Sequence, residues 1–464
     1  VVEDGSNDPI ANAKISTQPV SSTVFTDSSG RYQIDNVPVG EYSVQAEKDD
    51  FITAFEPATV NANVASNVVF ELQVSTADNR PPTAPDLLSP EDNGLVESVE
   101  VTFQWDATDP ENDPLTFTLE LRNDVNEEVL IFEEIQDTTF TYSPLVLGAK
   151  YFWQVTATDD INPPVTSAVS AFEVIGAPED NRFLFTRNIE GNNVIFSADA
   201  DGTEFQLTSQ NSNSFRPRRN VAAGRIAFFQ TDGAELHIYT MKRDGSDIKR
   251  VTGLIRPNGF KYSELNFSWP PASDQLYFPS FDKLYRIRTN GQGLELVYQT
   301  PDGSFISEVD VSENSNIIAL KTNDQNGYNV EIYTIDFSGN RLTTVLTGVD
   351  GATSGLDLSV TNNLVLYSYD ISGFESANYR RLDARLFIYD IAQNTRIEIS
   401  GDKISGTNDL EPIFSPSEAQ VIFTNTSNDG ISQRNVLKLE INFKDGTGED
   451  RETLFENAFM PDWE

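Results

Sequence analysis

The sequence predicts an all-β protein, with two small β-sandwich domains followed by a six-bladed β-propeller. Three observations carry that expectation. Short apolar–polar alternations recur along the whole chain, rich in Phe (30) and Tyr (15), which suit a pleated, half-buried surface better than a helix. Gly, Pro, Asn and Asp punctuate these runs at close intervals, as turns do. From residue 181 onward one strand pattern returns six times at the spacing of a propeller blade.

Bulk composition narrows the function classes. The chain has 464 residues, enough for two to four domains, and 38% hydrophobic residues, too many for a disordered chain. No stretch approaches the roughly 20 apolar residues of a membrane helix. There is no Cys, which leaves the redox compartment open. "VVEDG" at residue 1 reads as part of a first strand, so a leader or lipid anchor is expected ahead of it. With 32 basic and 72 acidic residues the net charge is −40, which argues against nucleic acid and anionic membrane as partners.

In residues 1–76, "TDSSGRYQIDNVPVGEYSVQAEKDDF" alternates around Tyr32, Ile34, Tyr42, Val44 and Ala46, with Gly30 and Gly40 at turns. "PIANAKIST", Thr26-Asp27-Ser-Ser-Gly30-Arg31-Tyr32 and Val37-Pro38-Val39-Gly40-Glu41-Tyr42 resemble the carboxypeptidase regulatory-like domain. That resemblance implies a transthyretin-type sandwich without catalysis, its first strand only partly present. The polar, Pro-rich "STADNRPPTAPDLLSPEDNG" (75–94) reads as a joint. Residues 77–178 then supply "VEVTFQW", "LTFTLEL", "TFTY", "YFWQVTAT" and "SAFEV". Trp105 closes one of these strands, and Tyr151, Trp153 and Val155 alternate on another. The pattern resembles a fibronectin type III domain, whose core accounts for both tryptophans.

Residues 179–464 hold the repeat. "RFLF", "RIAFF", "QLYF", "IIAL", "LVLY" and "VIF" place Phe185, Phe228, Phe278, Leu320, Tyr367 and Phe423 at spacings of 43, 50, 42, 47 and 56. Each is followed by a second strand, a turn and a third strand. Asp199-Ala-Asp201-Gly202 could open a calcium loop, but it falls where "KRDG", "RTNG", "DFSG" and "FKDG" fall in other units. A shared Gly at a shared place is hairpin chemistry, so the motif reads as a turn. Pro412-Ile413-Phe414-Ser415-Pro416 and Ser268-Trp269-Pro270-Pro271 resemble the blade-end motif of the TolB-like propeller, leading there into the next innermost strand. The chain stops at Pro461-Asp462-Trp463, which is expected to close the ring against "RFLF".

Catalytic chemistry finds little support. His237 is the single His, so a His triad or a typical zinc site is not available. Neither a Cys nucleophile nor a G-x-S-x-G elbow occurs. Acids are too abundant for any carboxylate pair to be informative about glycoside hydrolysis. Two loops of the middle domain offer a metal reading: "DATDPENDP" with Asp106, Asp109, Glu111 and Asp113, and "TDDINPP" with Asp159 and Asp160. Brought to one end of the sandwich, they could supply calcium with oxygens; the alternative is a pair of solvated Asp/Pro turns.

Charge and loops point to recognition. Residues 182–261 carry 12 basic and 8 acidic side chains, including Arg216, Arg218 and Arg219, which makes the first two blades a candidate surface for an acidic partner. Long connections concentrate on one propeller face, "NDQNGYN", "DISGFESANYRRLDAR", "NTSNDGISQR" and "GLIRPNGFKYSE". That face offers Phe374, Tyr379, Arg380, Arg381, Phe260 and Tyr262. The order of modules resembles surface lipoproteins of Bacteroidota. The expectation is a non-enzymatic, extracytoplasmic accessory subunit, lipid-anchored at the outer membrane and docked on a β-barrel and other lipoproteins. A cell-surface glycan-binding protein is the alternative, with the loop aromatics as its platforms.

Overall fold

The computed structural model describes residues 1–76, 79–125, 129–361, 363–442 and 447–464. Strands account for nearly all the regular structure; among the described residues the one helical element is a turn of 3-10 helix at Tyr262–Glu264. Among the described residues no helix is long and apolar enough to cross a membrane.

At the N-terminus an antiparallel sheet runs in the order Val24–Phe25, Lys14–Gln18, Gly40–Glu47, Ala54–Val60, and Val2–Glu3 pairs in parallel with Glu71–Leu72. The alternation read from sequence buries Ile15, Val44 and Ala46 against Phe70 and Leu72. The middle unit packs two sheets, one centred on Thr116–Asn123 and Lys150–Thr158, the other on Val101–Asp106. Trp153 lies between them with its ring 4.8 Å from Phe103, and Trp105 sits edge-on to Phe117 at 5.5 Å. Gly176 touches the propeller: an added Cβ would meet Asp244 Cβ at 2.8 Å, and the next residue, Ala177, donates its N–H to Asp244 O at 2.9 Å.

Six sheets follow in a ring. The first is closed by Phe459–Trp463, which pairs with Phe183–Ile189, so the two ends of the repeat share one blade as the sequence implied. Removing the ring's open edge in this way removes its unpaired ladder groups. The turns behave as hairpins. Asp199 Oδ1 accepts the N–H groups of Asp201 (2.9 Å) and Thr203 (2.8 Å), and Gly202 takes φ +87. Asp336 repeats the bonds to Ser338 and Asn340, with Gly339 at φ +81. The "FKDG" turn lies outside the described residues.

The position of the innermost strand differs from expectation. The strands beginning "RFLF", "RIAFF" and their equivalents are second from the axis. Innermost are Ser214–Asn220, Phe305–Ser312, Thr353–Leu358, Thr407–Phe414 and Phe459–Trp463. In the third blade that place is taken by 265–269, which makes a single bridge, Ser268 to Tyr277. The blade-end motif is thus itself the axial strand. It was hidden because bulges interrupt these strands, with register shifts at Phe215/Arg218, Ile306/Glu308, Ser354/Asp357 and Leu410/Ile413. One extra residue reverses which side chains face the core and breaks the alternation that marks a strand.

Past the bulge, a polar side chain ties one blade to the next at most of the joints, Ile413 standing at that place in the sixth blade. Asp462 Oδ2 accepts the Arg219 N–H, Asp310 Oδ2 that of Leu358 and Asp357 Oδ2 that of Phe414, each at 2.8 Å. Ser268 Oγ accepts the Val311 N–H at 3.1 Å in the same role. Arg218 occupies the equivalent place in the second blade and donates to Pro461 O at 3.2 Å and Asn266 Oδ1 at 3.4 Å. Burial pushes the carboxyls of Asp310, Asp357 and Asp462 up, Asp357 furthest because Asp310 lies beside it.

Candidate recognition site at the mouth of the propeller axis

The bulges carry the axial strands past their ladders and turn charged side chains toward the axis. Arg216 (φ +53) and Glu411 (φ +54) occupy the bulge itself in two axial strands. Arg216 Nη2 donates to Glu411 Oε1 and to Ser263 O, both at 2.8 Å. Glu411 Oε2 also accepts from Thr424 Oγ1 at 3.1 Å. A second pair joins Arg381, on the long loop of the fifth blade, to Glu264 on the helical turn of the third. Burial alone would raise Glu264, but the charges of Arg381 and Lys261 outweigh it and hold its carboxyl down at about 2. Deeper still, Lys321 Nζ meets Glu308 Oε1 at 3.0 Å with both side chains enclosed, and Glu308 Oε2 accepts the Leu356 N–H at 2.9 Å.

Above these pairs opens a cavity of about 530 Å³. Its wall comes from the strand-to-strand loops of blades one, five and six, the 261–264 segment and the closing strand. Arg434 stacks on Phe459 at 4.6 Å, and Arg381 stacks on Tyr379 at 4.7 Å. Several donors are left over. Among the described residues Arg216 Nε and Nη1 and Arg381 Nε are buried without a partner.

The loop-face residues named from sequence divide accordingly. Tyr379 and Arg381 are not surface groups. Tyr379 is 5% exposed, its hydroxyl donating to Thr353 O at 3.4 Å, and Arg381 is enclosed in its ion pair. Both were expected outside because a long polar loop reads as solvated; here it folds back over the axis. Arg380 does reach solvent and donates Nε to Asn428 O at 2.7 Å. Phe260 is half-buried, its ring edge-on to Tyr379 at 5.0 Å. Tyr262 packs on the core between blades two and three, and Phe374 is 38% exposed away from the cavity wall.

The basic stretch also needs correction as a surface patch. Arg216, Arg218 and Arg219 side chains are 3%, 12% and 3% exposed, and they neutralise acids of the closing and sixth-blade strands. Sequence reasoning missed Glu264, Glu308, Lys321 and Glu411 altogether. The usable signal was Lys321 inside the apolar run "IIALKTN", since an unpaired Lys there would not be tolerated.

The six acids of the middle domain do not converge on a metal. Asp109 Oδ1 accepts the N–H groups of Glu111 (2.8 Å) and Asp113 (3.0 Å), and Glu111 pairs with Arg80 at 2.8 Å. Asp159 accepts the N–H groups of Ile161 and Asn162 and the side chains of Asn162 and Asn79. Asp106 and Asp160 point to solvent. These carboxylates cap their own turns, and only Asp109 Oδ2 is buried without a partner, one oxygen where calcium wants six to eight. Among the described residues no group of three or more His, Cys, Asp or Glu could hold an ion. His237 is buried, its Nδ1 3.1 Å from Thr252 O.

Comparison with known proteins bears on the same regions. Residues 1–73 match the carboxypeptidase regulatory-like domain family. No curated protein sequence matches the chain. Among solved structures, TolB from Acinetobacter baumannii is similar at 14% identity and a TM-score of 0.47, over 69% of this chain and 80% of that one. A quinonprotein alcohol dehydrogenase-like protein from Bacteroides thetaiotaomicron aligns at 10% identity and 0.43, over 82% and 99%. An oligogalacturonate lyase from Vibrio parahaemolyticus aligns at 10% and 0.37, over 58% and 93%.

Proposed function

We propose that this chain is a non-enzymatic, extracytoplasmic recognition subunit, held at the outer membrane by a lipid anchor and docked on a β-barrel complex through the loop face of its propeller. The observation that carries the reading is the axial mouth. Loops from several blades converge there on a rigid ring, the usual place for recognition on a repeat scaffold. The polar groups that line it are ordered by buried ion pairs, which fixes their geometry before a partner arrives. The chemistry available at that mouth is hydrogen bonding and charge. The two acids at its base, Glu264 and Glu411, are each committed to an arginine, which suits binding more than proton transfer.

The test is gentle detergent purification of the natively anchored protein from its own membrane, with identification of what comes with it. Stoichiometric recovery of a β-barrel with companion lipoproteins is expected. Recovery of the chain alone, before and after crosslinking, overturns the reading.

A further inference from the structure

The lining of the axial cavity is unbalanced in a way that specifies what it binds. Its acids are satisfied internally. Glu264 is held by Arg381, Glu411 by Arg216 and Thr424, and Asp429 Oδ1 accepts the N–H groups of Ile431 and Ser432 at 2.9 Å each. Lys261 and Arg381 share Glu264, but the two remaining cations have no acid among the described residues. Arg434 is exposed at the rim with its guanidinium on the Phe459 ring and no ion partner among the described residues. Arg380 spends only Nε, on a backbone carbonyl. Below them Arg381, on the same wall, is held by Glu264 and keeps Nε without a partner. Surplus guanidinium donors facing a cavity call for a ligand that brings acceptors, and a carboxylate matches the guanidinium fork in two bonds.

We propose that the mouth of the propeller axis binds an extended acidic peptide segment of the partner, its carboxylates bridging Arg380 and Arg434 at the rim and reaching toward Arg381 within. This deepens the docking reading above and rests on it. The cavity, about 530 Å³, falls within the roughly 300–1,000 Å³ usual for a specific site and has room for a few residues. Peptide is favoured over an acidic sugar because the aromatic faces a sugar would stack on, Tyr379 and Phe459, are already covered by Arg381 and Arg434. In a chain of net charge −40 the rim would also act as a local sink that sets the register of an acidic segment.

The probe is fluorescein-labelled hexaglutamate with a free C-terminus, titrated against the full chain by fluorescence anisotropy. Binding that weakens as salt is raised is expected, with at least a tenfold loss in the double variant Arg380→Ser, Arg434→Ser and no binding of hexaglutamine. Both substituted side chains are exposed, so the variant folds as the parent does. No binding, or binding unchanged in the double variant, overturns the proposal. Tighter binding of an oligogalacturonate that the double variant abolishes also overturns it and gives the mouth to an acidic glycan. Repeating the membrane purification with the double variant separates the two claims. A barrel retained by both forms leaves the docking reading standing without this one, and a barrel absent from both removes the docking reading itself.

Discussion

The two ends of the propeller axis use the same residue types for different ends. At the staple end, Asp310, Asp357 and Asp462 each spend an oxygen on a backbone N–H of the neighbouring blade, with Arg218 among them. At the mouth, Glu264 and Glu411 pair with Arg381 and Arg216, and Arg380 and Arg434 on the cavity wall keep guanidinium donors without an acid among the described residues. A carboxylate bonded to backbone is committed to the fold, because no rotamer change frees it without breaking a blade contact. A guanidinium with donors left over is available to a ligand. The difference separates the structural role from the recognition role inside one channel.

The largest effect should come from breaking the staple end. Arg218→Met leaves Asp462 and Asp357 enclosed without their nearest cation, and removing one partner from such a cluster typically costs about 3–5 kcal/mol. Urea unfolding should show that loss, while Arg380→Ser at the mouth should stay within about 0.5 kcal/mol. Equal losses would mean that the two ends are not distinct.

Lys321 and Glu308 sharpen the comparison, since this enclosed ion pair also holds a backbone N–H of the neighbouring blade. Lys321→Met alone should cost about 3–5 kcal/mol by stranding Glu308. Adding Glu308→Gln should recover much of it, because the amide oxygen can still accept the Leu356 N–H. A double variant no better than the single would show that the carboxylate charge was not the stranded element.

Gly355 tests the bulge that separates the ends. It takes φ +70, and an added Cβ would meet Pro412 Cδ at 2.3 Å in the adjoining axial strand. Gly355→Ala should therefore destabilise by at least about 1–3 kcal/mol through backbone strain, with the clash in addition. Thermal melting of the variant against a Gly303→Ala control would measure it, since Gly303 has comparable φ and nothing near its Cβ. Equal shifts would remove the packing contribution and leave strain alone.

These same bulges explain what could be read from the sequence. The all-β class, the six units and the ring closure were legible, because the second and third strands of each blade are short apolar runs at a regular spacing and most of them are joined to the next strand by a Gly turn. The axial strands were not, because Arg216-Pro217, Gly355 and Glu411-Pro412 interrupt the period of two. With the strand unread, its charges were assigned to the surface, and Arg216, Arg218 and Arg219 became an external patch. Tyr379 and Arg381 were picked from the right loop for the wrong reason, since polarity does not reveal a loop that folds inward. The acids of "DATDPENDP" and "TDDINPP" looked like ligands, and spacing alone does not separate a ligand from a turn cap.

The smallest effect is the most diagnostic, because the two ends should respond to acid with opposite signs. Glu264 is depressed to about 2 in the folded chain from 4.5, so its ion pair stabilises fully above 4.5 and that contribution is lost as pH falls toward 2. Asp357 is raised, so its charged form opposes folding at neutral pH, and protonation relieves the strain with Asp310 as pH falls through its folded value. Glu264→Gln should therefore flatten the loss of stability below about pH 4.5. Asp357→Asn keeps the acceptor for the Phe414 N–H and removes the repulsion, so it should melt no lower than the parent at pH 7 and lose its advantage as pH falls. The measurement is melting temperature against pH for both variants and the parent. Same-signed slopes would mean that the carboxylates of the two ends share one electrostatic environment, and the division of the axis into a committed end and an available one would fail.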